Sequence, residues 1–119
     1  MQYLFLLYSD ETKAPEPPKD PKEFQAWMQP WIDYTQSLKD AGVFVGGDAL
    51  QPTATATTVT NVGSAEPVLT DGPFAETREQ LGGYYLVDCK DLDQALAWAG
   101  KCPIVHYGKC EVRPIQTFG

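Results

Sequence analysis

Leu69 to Asp88 reads LTDGPFAETREQLGGYYLVD, and the reading of this stretch decides the fold class. Its last part continues into Cys89 as GYYLVDC, an aromatic and β-branched run of high strand propensity. Before that run stand Asp71-Gly72-Pro73, a charged segment and Gly82-Gly83. Gly72 can adopt a backbone conformation closed to other residues, and Pro73 suits the first position of a helical turn. The spacing predicts a short helix over Phe74 to Leu81, capped by Asp71 or Gly72. Gly82-Gly83 would end that helix and start the strand.

Immediately upstream, TATATTVTNVGSAEPVLTDG reads as a hairpin with a Thr-rich arm, a turn around Asn61 to Ser64 and a return arm through Val68 and Leu69. Pro67 bars a central place for the return arm, so an edge ribbon is expected. Further out, Tyr3 to Tyr8 is a continuous apolar block and predicts a strand buried on both faces. The Pro-rich, charged segment DETKAPEPPKDP is a connector.

From Lys22 to Ala41, Phe24, Trp27, Met28, Trp31, Tyr34 and Leu38 fall at helical spacing and Gly42 closes the run. Pro30 predicts a kink or a fresh start within it. Trp27 and Trp31 share one face, which reads as core or subunit interface in preference to a ligand platform. Val43 to Val45 predicts a short strand closed by Gly46-Gly47.

Beyond the central strand, DLDQALAWAGKC predicts a helix with Asp91 as N-cap and Leu92, Ala95, Leu96 and Ala99 on one face. In GKCEVRPI, Cys110 and Val112 point one way while Lys109, Glu111 and Arg113 point the other. The order is therefore β, α, β, an inserted hairpin, β, α, β. Two split β-α-β halves give an α+β, ferredoxin-like antiparallel sheet with both helices on one face. The other face would lie bare, which predicts a homodimer formed through it.

A chain of 119 residues, 43% hydrophobic and 21% charged, is expected to form one domain over residues 1–119. Its net charge of -7, without a basic run, argues against a phosphate-backbone grip and against an anionic membrane surface. The N-terminal apolar run lacks a basic region before it and a small-residue cleavage site after it, so the cytoplasm is the expected compartment. Cys89, Cys102 and Cys110 are odd in number and lack metal-type spacing, and they read as buried free thiols.

Asp71 is the first candidate for chemistry. It is either a helix cap or a general acid or base aimed into a cavity by the Gly-Pro turn. Glu76 could be a second carboxylate beside it and Arg78 a clamp for an anionic ligand, or both belong to a solvated face with Glu79. Glu111 and Arg113, two residues apart, face the dimer side as a ligand site or as a cross-subunit ion pair. His106, in the connector before the last strand, reads as a surface residue. No metal-ligand spacing, phosphate loop or nucleophile elbow is present, so no metal or cofactor is expected.

Taken together, LTDGPFAETREQLGGYYLVD, DLDQALAWAGKCP and CEVRPI resemble the DGPF group of the YCII-related proteins, and the likeness extends to MQYLFLLY and AGVFVGGDALQP. Asp71, Gly72, Pro73, Phe74, Glu76, Glu79, Gly82 and Gly83 match the group's signature, as do Glu111, Arg113 and Pro114. The resemblance implies a bacterial protein with a ferredoxin-like fold, dimerising through its sheets as a dimeric α+β barrel. It also implies an Asp-His pair as the enzymatic site of YCII relatives, with the histidine on the first helix. Lys22 to Ala41 contains no histidine, so an acid-base pair here would have to be built differently. Neighbouring genes for extracytoplasmic-function sigma factors in some genomes imply a regulatory link. Two functions follow as expectations: a cofactor-independent enzyme using Asp71 on a small organic molecule, or a non-enzymatic ligand-binding or protein-interaction dimer.

Overall fold

The computed structural model describes all 119 residues. In chain order the elements are β1 (Gln2–Ser9), α1 (Pro21–Asp40), β2 (Phe44–Ala49), β3 (Thr57–Thr60), β4 (Val68–Asp71), β5 (Gln80–Asp88), α2 (Leu92–Ala99) and β6 (Lys109–Pro114). Short 3-10 turns lie at Thr53–Thr55 and Pro103–His106. Four strands form a sheet in the order β2-β5-β1-β6, and every neighbouring pair is antiparallel. β3 and β4 form a separate two-stranded ribbon, the expected hairpin.

Side-chain alternation decides what each strand buries. Tyr3, Phe5 and Leu7 of β1 and Tyr85 and Val87 of β5 point to one face, where they meet Tyr34 and Leu38 of α1 and Ala95 and Ala99 of α2. Both helices therefore cover the same side of an α+β fold. Each fully buried large side chain, such as Phe5 or Leu38, contributes about 1.5–3 kcal/mol. The opposite face carries Leu4, Leu6, Tyr8 and Leu86, all half-buried, with no helix over them. β1 is thus buried on one face only, which corrects the two-sided burial expected from its continuous apolar run.

The helices begin where their caps dictate. The Asp20 carboxylate accepts from the Glu23 amide at 3.1 Å, Pro21 opens α1, and Glu23 and Lys39 sit at the ends that suit the helix dipole. α1 runs continuously through Pro30. Asp91 caps α2 by accepting from the Gln94 amide at 2.9 Å, and the Gln94 side chain returns to accept from the Lys90 amide at 2.7 Å. The Tyr34 hydroxyl donates to the Trp98 carbonyl at 2.8 Å and ties α1 to the end of α2.

The helix expected over Phe74 to Leu81 does not form. Residues 72–79 are bends and irregular chain, and the chain is already in β5 at Gln80. The Thr77 hydroxyl donates to the Glu79 carbonyl at 2.6 Å, the Gln80 amide group to the Thr77 carbonyl at 2.6 Å, and Gln80 and Leu81 pair with Ser9 and Tyr8. One or two isolated helical turns cannot compete with that pairing. Gly82-Gly83 accordingly lies inside β5, and Gly46-Gly47 inside β2, which extends to Ala49. No helix is long and apolar enough to cross a membrane.

Candidate ligand cavity

A hollow of about 530 Å³ lies between α1 and the helix-covered face of the sheet. Its origin is local and readable in the side chains. α1 presents Trp27, Met28, Trp31, Ile32, Thr35, Gln36 and Lys39, which recur every three or four residues along one helical face. Opposite them the sheet offers Gly47 and Ala49 of β2 and Gly82 and Gly83 of β5, with Ala49 paired to Gly83. Where a packed core would fill this layer with large side chains, these four positions supply none. Leu7, Phe44, Tyr85, Ile104 and Tyr107 close the remaining walls.

At Gly47 the absence of a side chain is a requirement of fit. A Cβ there would come within 2.8 Å of Cδ1 of Tyr85 and 2.9 Å of the Tyr84 carbonyl oxygen. That glycine keeps the Tyr85 ring in place. The Tyr85 hydroxyl meets Thr35 Oγ1 at 2.7 Å, and its ring stacks edge-on against Tyr34 at 5.4 Å and Phe44 at 6.4 Å. Burial raises the Tyr85 phenol above the ordinary tyrosine value, with the Thr35 hydrogen bond partly opposing the rise. The Tyr85 phenol therefore stays protonated at neutral pH.

Behind the cavity, Asp48 of β2 and Tyr84 of β5 are register partners whose side chains lie on the uncovered sheet face; Tyr84 donates to Asp48 Oδ2 at 2.9 Å, which raises the phenol through the hydrogen bond and the adjacent carboxylate charge. The Lys39 ammonium lies 5.2 Å from the Phe44 ring centroid, within cation–π range. Of the two charged residues that border the cavity, Lys39 and Asp48, the Asp48 carboxylate is turned to the uncovered face.

Asp71 lies elsewhere, at the exposed end of β4. Its carboxylate makes no hydrogen bond within the chain, neither to the Phe74 or Ala75 amides nor to another side chain. Gly72, with φ of +93°, turns the chain there; its amide donates to the Ala56 carbonyl at 2.6 Å and its carbonyl accepts from the Thr58 hydroxyl at 2.7 Å. Pro73 follows and Phe74 is 90% exposed. Glu76 and Arg78 are exposed in the same segment, while Glu79 pairs with Lys109 of β6.

Glu111 and Arg113 meet each other at 3.2 Å on the uncovered sheet face, both partly exposed, and no ion pair joins either to Asp71, Glu76 or Arg78. Cys110 and Val112, on the other side of β6, pack against the core as expected. Cys89 and Cys102 are buried free thiols and Cys110 is partly buried. His106 is exposed and shares a shallow groove with Asp33 and Ser37 on the far flank of α1.

Of the residues expected to form the site or its signature, Gly82 and Gly83 alone line the cavity. Trp27 and Trp31, expected in the core or an interface, form its helical wall. Two glycine pairs placed opposite an aromatic helix face were the available signal, once both pairs are read as strand.

The family model for the YCII-related domain matches residues 1–119. An uncharacterised protein of Rhizobium meliloti (strain 1021) is 35% identical over 120 residues, spanning 99% of this chain and 94% of that protein. With a match over its whole length and a relative of this closeness, the chain belongs to the YCII-related family.

Proposed function

We propose that this protein binds a small, largely apolar organic molecule in the cavity between α1 and the sheet. One observation carries the reading: two tryptophans face a glycine-rich strand layer across about 530 Å³ that the chain's own side chains leave unfilled. Ligand sites are concave, mostly apolar and furnished with a few polar groups, and this hollow has that character. Naphthalene is a suitable probe. At ten times its dissociation constant it should stabilise the fold by about 1.4 kcal/mol and change the indole emission. Met28→Trp, which fills the hollow, should abolish both effects, and naphthalene that leaves melting and emission unchanged refutes the reading.

The strand order supports a ferredoxin-like arrangement, and the uncovered sheet face supports its pairing with a second copy as a dimeric α+β barrel. The cytoplasm is the compartment that suits its three free thiols. An enzymatic version assigns Asp71 as general acid or base, with Glu76, Arg78, Glu111 or Arg113 holding a polar part of the substrate and no cofactor taking part. Its support is an Asp71 carboxylate that caps no helix. Asp71→Asn should then lower turnover of an identified substrate at least about a hundredfold, and unchanged turnover removes the assignment. The alternative, a non-enzymatic binding or interaction module linked to extracytoplasmic-function sigma factors, draws on the exposed apolar residues Val59, Leu69 and Phe74 of the ribbon and the loop after it.

A further inference from the structure

The ribbon of β3 and β4 stands away from the body of the chain. Its two strands find their packing in each other, and every residue of both is exposed except Thr58. The root is fixed, since the Glu11 carboxylate accepts from the Thr53 amide at 2.9 Å and from the Thr53 hydroxyl at 2.8 Å, while Val62 in the turn is 89% exposed. The projection shows in the radius of gyration, 16.7 Å against about 13.5 Å for a compact domain of this length.

A two-stranded hairpin without a covering layer is marginal in water. Here the register pairs Val59 with Leu69, so both side chains stand on one face, 60% and 69% exposed, flanked there by Thr57 and Asp71. Phe74, 90% exposed, follows in the segment just beyond. Four-residue strands with their apolar pair in solvent lack the burial that would hold them, so this face is built to be covered.

The size of the open sheet face argues for what covers it. Strands of six to nine residues, about 4.8 Å apart, give that face a footprint of roughly 500 Å². Its apolar centre is smaller, because Asp48, Tyr84, Glu111 and Arg113 occupy part of it. A stable pair of chains removes about 800 Å² from each partner. The sheet face falls short, and the ribbon supplies further area from the end of the same sheet, where β2 leaves and β5 returns. In a two-fold pair the contact is reciprocal, so each copy gives an arm and receives one.

We infer that the ribbon of β3 and β4 is a dimerisation arm, which lays the face of Val59 and Leu69, together with Phe74, on a second copy of this chain. The inference rests on the pairing of open sheet faces proposed above and adds to it a contact made in trans. Asp71, on the same ribbon face, is carried to the partner subunit with it.

Val59→Thr/Leu69→Thr keeps strand propensity and removes apolar bulk from an exposed face. In sedimentation equilibrium of the full chain this variant should dimerise at least about tenfold more weakly than the native protein, with an unchanged circular dichroism spectrum. With p-benzoylphenylalanine in place of Leu69, illumination should give a covalent dimer. A double-threonine variant that pairs as tightly as the native chain, or a benzophenone that crosslinks only within its own chain while the protein sediments as a dimer, overturns the inference and leaves the sheet-face pairing standing. A native chain that sediments as a monomer at every concentration overturns both and leaves the ribbon face to a different protein.

Discussion

At the scale of single residues, burial raises the thiols as it raises the Tyr85 phenol. Burial pushes the Cys102 thiol up to about 11, with the Ile104 amide partly opposing it, and pushes Cys110 up to about 12 with Cys102 beside it adding to the rise. The corresponding unfolded thiols titrate near 9. Below that pH both states hold the same protons and stability does not change on this account. Above it the unfolded chain releases protons that the folded chain retains, so stability falls as the pH rises from about 9 towards 11–12. Tyr34, raised chiefly by its burial, acts in the same direction. Urea midpoints at pH 8, 9.5 and 10.5 should therefore decline in the native chain. The decline should be shallower in Cys102→Ala/Cys110→Ala, and identical slopes would refute the assignment to these thiols.

At the scale of elements, local rules held wherever one signal acted alone. The apolar spacing of α1, the Asp91 cap of α2 and the alternation in β6 were all legible, because a helix face and a pleat leave periodic marks in a sequence. The signals failed where local and distant partners compete. Pro73, Glu76 and the glycine pair suggest a helical turn by local grammar, yet Leu81 and Gly83 find Tyr8 and Leu7 across the sheet. Nothing local in that segment encodes those partners. The cavity was illegible for a related reason. It arises from residues that are small, on two strands separated in sequence, and its walls are apolar groups that resemble ordinary core. Gly47 shows how sharply the fold nevertheless depends on such a position, since the Tyr85 ring and the Tyr84 carbonyl both occupy the space a Cβ would need.

At the scale of the whole molecule, the sheet is a layer dressed on one side, and the chain extends 49 × 48 × 21 Å. Leu4, Leu6, Tyr8 and Leu86 form an apolar centre on the open side, with Glu111 and Arg113 neutralising each other at 3.2 Å towards one edge. If a second copy covers this face, apolar burial drives the pairing while the net charge of -7 on each chain opposes it. The two contributions respond oppositely to salt. Raising the ionic strength from about 0.02 to 0.3 M shortens the screening length several-fold and weakens the repulsion without weakening the apolar contact. Sedimentation equilibrium should therefore show a dimer that tightens with salt, whereas a dimer held by cross-subunit ion pairs would loosen. Leu6→Lys, at the centre of the face and half-buried in the single chain, should give a monomer with an unchanged circular dichroism spectrum. A Leu6→Lys protein that remains dimeric would show that some other surface makes the contact.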